Sequence, residues 1–150
     1  MSAFIQTPRL ALRPADHSDD PFLDELKRRP EVAAYIGAIH VSNTTDHLFT
    51  VLENSERVGV VGIVQSQALD GTDVALLCAL AQSAEGAGRA EEACRAILEL
   101  AGTTGRWTRL LACVDDQNAR SRKLTTKLGF TWLARRPYHT EDVFVLALNS

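Results

Sequence analysis

Glu85-Gly86-Ala87-Gly88-Arg89-Ala90 stands between an apolar run and the most regular helical pattern in the chain. Two glycines let a backbone come close to a ligand, and the N–H groups of a helix's first turn point outward as donors. Together with the positive end of the helix dipole, they make a seat for a pyrophosphate. A G-x-G pair also serves simply to turn a chain. A dinucleotide fold wants a third glycine near Glu91 and a P-loop wants Gly-Lys-Ser/Thr, and neither is present. The second constellation is Asn118-Ala119-Arg120-Ser121, followed by Lys127-Leu128-Gly129-Phe130. Asn118 or Ser121 can cap a helix there. His17, His40, His47 and His139 are scattered without a zinc-ligand spacing, and Cys78, Cys94 and Cys113 form no C-x-x-C, so no metal is expected. Cys94 on a helical apolar stripe, with Cys78 and Cys113 inside apolar runs, read as buried, reduced, structural thiols.

The elements that must position these residues follow from periodicity. Residues 8–13 alternate like an edge strand. Asp20 as N-cap and Pro21 in the first turn open a helix that carries Phe22, Leu23 and Leu26 inward, closes on Lys27-Arg28-Arg29 and stops at Pro30. A short helix over 31–36 ends at Gly37. Runs 48–53 and 58–65 make a hairpin around Asn54-Ser55-Glu56-Arg57, and Asp70-Gly71 turns the chain into a buried strand over 74–80. Ala90, Ala93, Cys94, Ile97, Leu98 and Ala101 mark a helix over 89–101, supported by Glu91 four residues before Arg95 and ended by Gly102 and Gly105. A strand over 110–114, a helix over 119–128 with Gly129 as its C-cap, and strands over 130–134 and 143–148 complete the order, with Trp107 and Trp132 in core or edge packing. The class is α+β.

Composition bounds what such a fold can be for. The chain has 150 residues, 45% of them apolar, and a net charge of −3 from 16 basic and 19 acidic residues. That suits a single domain over 1–150 with an ordinary core, and argues against nucleic acid or an anionic membrane as a partner. MSAFIQTPRL has no basic region followed by an apolar stretch and no run approaches a membrane span, so a soluble cytoplasmic protein is expected. Residues 1–88 hold 6 basic and 12 acidic side chains, whereas 89–136 hold 10 and 5. That asymmetry would suit a cationic acceptor meeting a phosphate-bearing donor, though such fluctuations are common in soluble domains.

The ordered set of motifs resembles the GNAT N-acetyltransferase superfamily, in particular the branch of ribosomal-protein-alanine N-acetyltransferases. Thr7-Pro8-Arg9-Leu10-Ala11-Leu12-Arg13-Pro14 resembles that branch's opening strand. Pro30-Glu31-Val32 with Tyr35-Ile36-Gly37 resembles the end of its second helix. Residues 85–93 are similar to its CoA pyrophosphate loop, 118–130 to its last helix and 142–148 to its closing strand. The resemblance spans nearly the whole chain. It implies a twisted, mostly antiparallel sheet of about six to seven strands, split between strands 74–80 and 109–114 and flanked by about four helices. It also implies acetyl-CoA as co-substrate and a primary amine, at a protein N-terminus or on a small molecule, as acceptor, with no metal; the branch often forms homodimers.

On that resemblance, Leu80, Ala81 and Gln82 would offer backbone groups to the pantetheine arm and the thioester oxygen. The N–H groups from Gly86 through Ala87, Gly88 and Arg89 to Ala90 would hold the pyrophosphate, and Asn118 the pantetheine end. Arg120, Arg122 or Lys123 would reach the nucleotide phosphate, although a solvated helix face accounts for them more simply. Ser121 matches the serine that donates a proton to the departing thiolate, and a capping hydroxyl explains it equally. His139, beside Glu141 in the turn of the last two strands, is of the side-chain type that suits a base near neutral pH, though a histidine in a surface loop is more often without a role. Three positions depart from the family pattern. Glu85 sets a negative charge facing the phosphates where Gln or Arg is usual, Thr125 stands where many members keep a tyrosine acid, and Ala75 where a strand glutamate often acts as base. Those departures favour a second expectation, a CoA-binding module of this fold that has lost catalysis and serves as a sensor or interaction partner. Outright repulsion by Glu85 would instead leave no CoA site, and Glu85→Gln would then restore binding.

Overall fold

The computed structural model describes residues 4–36, 47–136 and 139–148. The described residues form one eight-stranded sheet and four α-helices: β1 (Ile5–Gln6), β2 (Ala11–Pro14), α1 (Asp20–Leu26), α2 (Pro30–Ile36), β3 (Leu48–Glu53), β4 (Glu56–Gln65), β5 (Val74–Leu80), α3 (Arg89–Thr104), β6 (Arg109–Asp115), α4 (Ala119–Lys127), β7 (Thr131–Arg135) and β8 (Glu141–Ala147). The strand order is β1-β2-β3-β4-β5-β6-β8-β7. β1 to β4 pair antiparallel in succession, β5 and β6 run parallel, and β8 pairs antiparallel with both β6 and β7. The mixed α+β class is the expected one, with the two-residue β1 as an added strand. β5 and β6 register at Ala75 against Leu111, one pair from two strands of seven residues each. The chain divides into two compact units, Met1–Gly62 with Leu77–Ala96, and Ile63–Leu76 with Ile97–Ser150.

In the first unit the core is aliphatic: Leu12, Leu23, Ile36, Val51 and Val60 are buried. α1 begins differently from the expected Asp20 cap. Asp16 starts a 3-10 turn over His17–Asp19, its carboxylate accepting from Ser18 N–H at 2.8 Å, and Asp16 N–H donates to Asp19 Oδ2 at 2.9 Å. This capping box places Asp20 inside α1 and Asp19 at its N-cap position, where the Asp19 carboxylate turns from the helix to Arg13 and Arg57, at 2.7 Å from each. α1 stops at Leu26, with Lys27 as C-cap. Pro30 therefore heads α2, where its fixed φ is already helical, and Arg29 is left in the turn between the two helices. The expected stop at Gly37 lies outside the described residues. Asn54 and Ser55, at φ 52° and 68°, make the β3–β4 turn in two residues instead of the expected four.

In the second unit Ala68, Ala75, Leu111 and Val143 form a buried cluster with Cys113 and Val145 packed against it. α3 ends three residues later than expected. The Thr103 and Thr104 hydroxyls donate back to Leu100 O and Ala101 O, so that Gly102 stays helical and Gly105 follows the last turn. α4 closes in a Schellman motif: Gly129, at φ 99°, donates to Thr126 O and Phe130 N–H donates to Thr125 O. Trp107 is half-buried beside Arg106, and of the core and edge positions expected for Trp132 it takes the edge. It is 57% exposed on the edge strand β7, with its indole N–H donating to Asp142 Oδ1 at 3.1 Å.

Candidate functional site

The segment 80–90 lies wholly within the first unit. β5 ends at Leu80, a 3-10 turn covers Gln82–Ala84, and α3 starts at Arg89. Gly86 and Gly88 adopt φ 89° and 81°, in the left-handed region where glycine alone is unstrained. A Cβ at Gly86 would meet nothing within 4 Å, and one at Gly88 would make only ordinary contact with Arg9 at 3.5 Å. Conformation, not crowding, therefore requires both glycines. The first bond along α3 runs from Glu92 N–H to Gly88 O at 3.1 Å. The residue ahead of α3 is thus a glycine, which has no side chain with which to cap it.

The backbone groups expected to serve a ligand differ in how engaged they are. Ala81 N–H donates to Val58 O at 2.8 Å, Ala84 N–H to Ala81 O, and Glu85 N–H to Gln82 O. Leu80 O accepts from Arg29 at 3.0 Å, and Ala87 O from Arg9 at 2.8 Å.

Charge around this loop is paired. Arg29 meets Glu85 at 2.7 Å, so the carboxylate expected to oppose phosphate has a cation on it. Arg89 turns to Glu53 at 2.6 Å. Arg9 grips Glu92 at 2.8 Å, and the Thr7 hydroxyl donates to the same carboxylate at 2.5 Å. Burial pushes the Glu92 carboxyl up, but Thr7 and the Arg9 N–H and guanidinium outweigh it and hold it below its ordinary value. No spacing in the sequence points to Arg29 or Arg9. Arg29 reads as one of three basic residues closing a helix, and its contact with Glu85 comes from the tertiary fold.

Asn118, Ser121 and His139 belong to the second unit. Asn118 is the N-cap of α4, its Oδ1 accepting from Ser121 N–H at 3.0 Å, which settles which of the two caps the helix. The Ser121 hydroxyl is half-buried and makes no hydrogen bond to another described residue. His139 is exposed, its N–H donating to Arg136 O at 3.2 Å, and Glu141 pairs with Arg136. The two turns meet: Asp116 N–H donates to Thr140 O at 2.8 Å, and the Thr140 hydroxyl to Asp115 Oδ2 at 2.7 Å. Of the three basic residues expected to reach the nucleotide phosphate, Arg122 is committed to Asp142 at 2.7 Å and stacks over Phe144, whereas Arg120 and Lys123 are exposed. Arg122 first, then the Trp132 indole, hold the Asp142 carboxyl below its ordinary value. Thr125 is only 6% exposed and Ala75 belongs to the core cluster. Among the cysteines Cys94 is buried while Cys78 and Cys113 are half-buried, all as free thiols. A hydrogen bond to Cys78, reinforced by burial, pushes the Cys94 thiol well above its ordinary pKa. Among the described residues no group of His, Cys, Asp and Glu could hold a metal, and no helix is long and apolar enough to cross a membrane.

Residues 9–131 match the acetyltransferase (GNAT) domain, and the chain belongs to this family. Among solved structures it is similar to an acetyltransferase from Agrobacterium tumefaciens, with TM-score 0.75 and 22% identity over 97% of this chain and 95% of that one. It is also similar to RimL, a ribosomal-protein alpha-N-acetyltransferase in complex with coenzyme A, with TM-score 0.73 and 17% identity over 98% and 99% of the two chains. An acetyltransferase from Salmonella typhimurium that modifies the N-terminal serine of a 50S ribosomal subunit protein gives TM-score 0.71 and 17% identity over 98% and 100%. A search of curated proteins finds no match.

Proposed function

We propose that this GNAT chain is a single functional domain that moves the acetyl group of acetyl-CoA onto the primary amine of a cytoplasmic acceptor, a protein N-terminus or a small amine. The observation that carries the reading is the loop ahead of α3: two glycines at positive φ, a helix start without a side-chain cap, and flanking Arg–Glu pairs that leave the backbone dipole as the net attraction. In this reading Gly86, Ala87, Gly88, Arg89 and Ala90 hold the pyrophosphate through N–H groups, with Arg89's side chain left on Glu53. Ala81 N–H is already engaged with Val58 O, which supports Gln82 N–H as the donor to the thioester oxygen. Asn118, whose N–H donates to Asp115 O and whose side chain caps α4, shapes the turn at the pantetheine end in this reading.

A neutral amine attacks the thioester carbonyl, the C–N bond forms, the C–S bond breaks and the sulfur leaves as thiolate. Holding both reactants together and stabilising the oxyanion supply most of the acceleration. The Ser121 hydroxyl, unpartnered among the described residues, is the proton donor for the thiolate. His139, or solvent, takes the ammonium proton. The homodimer implied by the branch belongs to the same reading, and Trp132 and Leu133 on β7 are exposed apolar side chains that such a contact would cover.

The buried Thr125 and Ala75 favour a second reading, a CoA-binding module without turnover, because neither position can supply an acid or a base. A thermal-shift titration with acetyl-CoA comes first. At 100 times its Kd the ligand stabilises the fold by about 2.7 kcal/mol, a shift of roughly 5–10 °C for this size. A panel of amines with thiol release as readout then separates the readings: turnover supports the transferase, binding without thiol release the module, and no shift up to millimolar ligand overturns both.

A further inference from the structure

Of the three Arg–Glu pairs around the loop before α3, Arg29–Glu85 alone joins the turn between two helices to the loop itself. One guanidinium nitrogen of Arg29 donates to Leu80 O, the last carbonyl of β5, at 3.0 Å; the other donates to Glu85 Oε2 at 2.7 Å. The planar fork thus spans both ends of the 3-10 turn from Gln82 to Ala84. Both side chains are about a quarter exposed, 24% and 27%, so solvent screens the pair only in part.

We propose that Arg29 is a positioning residue of the acetyl-CoA site: it fixes the end of β5 and cancels Glu85, so that the loop's N–H groups meet a pyrophosphate without that carboxylate opposing it. This rests on the acetyl-CoA reading above. Glu85 sits one residue before Gly86, so its net charge and that of its partner both act on an anion held by the loop. The signs follow. Glu85→Gln leaves the guanidinium anchored to Leu80 O, with the exposed Glu31 at 3.9 Å offsetting its charge only weakly, and acetyl-CoA binds tighter. Arg29→Gln leaves a carboxylate beside the phosphates, and binding weakens. Removing both charges restores neutrality. Arg29→Lys keeps the charge without the fork and falls between wild type and Arg29→Gln.

The test is calorimetric titration of acetyl-CoA into the wild type, both single variants, the double variant and Arg29→Lys, with urea midpoints measured in parallel. Expected are about threefold tighter binding for Glu85→Gln, about tenfold weaker for Arg29→Gln, and the double variant within about threefold of wild type. Opposite signs for the two single variants are what a merely structural ion pair does not produce, since both losses then shift the urea midpoint alike. Equal weakening by both with additive effects in the double variant overturns the proposal. Should Arg29→Gln fail to fold, Glu85→Gln decides alone: tighter binding supports it, unchanged or weaker binding overturns it. A wild type that binds no acetyl-CoA overturns the functional reading and this inference with it, whereas failure of the sign pattern in a binding wild type overturns only the role of Arg29.

Discussion

α1 and α3 begin in opposite ways, although both follow a turn rich in polar or small residues. Ahead of α1, Asp16 and Asp19 close a reciprocal capping box, and the Asp19 side chain, 0% exposed, is gripped by Arg13 and Arg57. Both Asp16 and Asp19 thus meet donors of the same chain, while Asp20 Oδ1 in the first turn of α1 is buried without a hydrogen bond to another described residue. Ahead of α3, Gly86 and Gly88 supply backbone conformation and no side-chain acceptor, while the nearby carboxylates are turned to arginines. The first start is crowded with carboxylates of its own, committed to the 3-10 turn and to Arg13 and Arg57; the second leaves its helix dipole to something from outside. α4, capped by Asn118, is of the first kind at its N-terminus. A helix start therefore becomes a candidate anion seat when its own side chains decline to fill it.

The comparison breaks hardest at Asp19. Burial pushes this carboxyl up, but Arg13, Arg57, Asp16 N–H and Thr50 more than reverse that and hold it well below the usual carboxylate range. Asp19→Ala strands two arginines against a buried site and should cost about 3–5 kcal/mol in urea unfolding, with little change in acetyl-CoA affinity once folded. The sign of the pH dependence follows from the depressed folded value. The contribution is full above the unfolded carboxylate pKa and is lost as pH falls through the folded one, so stability should decline on acidification. Asp19→Asn should flatten that acid limb, and an unchanged limb would assign it to other carboxylates.

At α3 the expected effect is smaller on stability and larger on binding. Gly88→Ala places a Cβ at φ 81° and should cost about 1–2 kcal/mol. By re-aiming the first-turn N–H groups it should also weaken acetyl-CoA about tenfold or more. Gly86→Ala meets no neighbour, so its cost is conformational alone and can be set beside that of Gly88→Ala. Loss of stability without loss of affinity would make the glycines mere turn formers.

Much of this was open to sequence reading because it is local. The α3 stripe, the β3 and β5 runs and the Gly129 cap follow from patterns within a few residues, and the structure reproduces them. The G-x-G segment could be placed between a strand and a helix for the same reason. What escaped was non-local or competitive. Asp20 has the chemistry of an N-cap, but Asp16 and Asp19 form a reciprocal box that begins four residues earlier, within Asp16 through Asp20. Glu85 reads as a repulsive charge until Arg29, 56 residues away, is found on it. Trp132 reads as core or edge packing, because an alternating strand does not reveal which strand is the sheet's edge, here β7.

Two smaller effects sharpen the contrast. Asn118→Ala removes the acceptor for Ser121 N–H and should cost about 1 kcal/mol, within the range of lost caps, whereas Asn118→Asp keeps an acceptor and should cost less. If Asn118 also touched the ligand through its side chain, Asn118→Ala would weaken acetyl-CoA beyond what the lost stability explains; the cap geometry predicts that it does not. Smallest is the Glu91–Arg95 pair on the polar flank of α3, at 2.9 Å with Arg95 half exposed. A double-mutant cycle with Gln at both positions should give about 0.3–0.5 kcal/mol of coupling at low salt, and still less at high salt. Glu91 stands in the first turn, where its charge favours the helix dipole but opposes an incoming anion. Glu91→Gln should therefore lower stability slightly while leaving acetyl-CoA affinity equal or raised. A fall in affinity would show that the first turn of α3 does not face the phosphates.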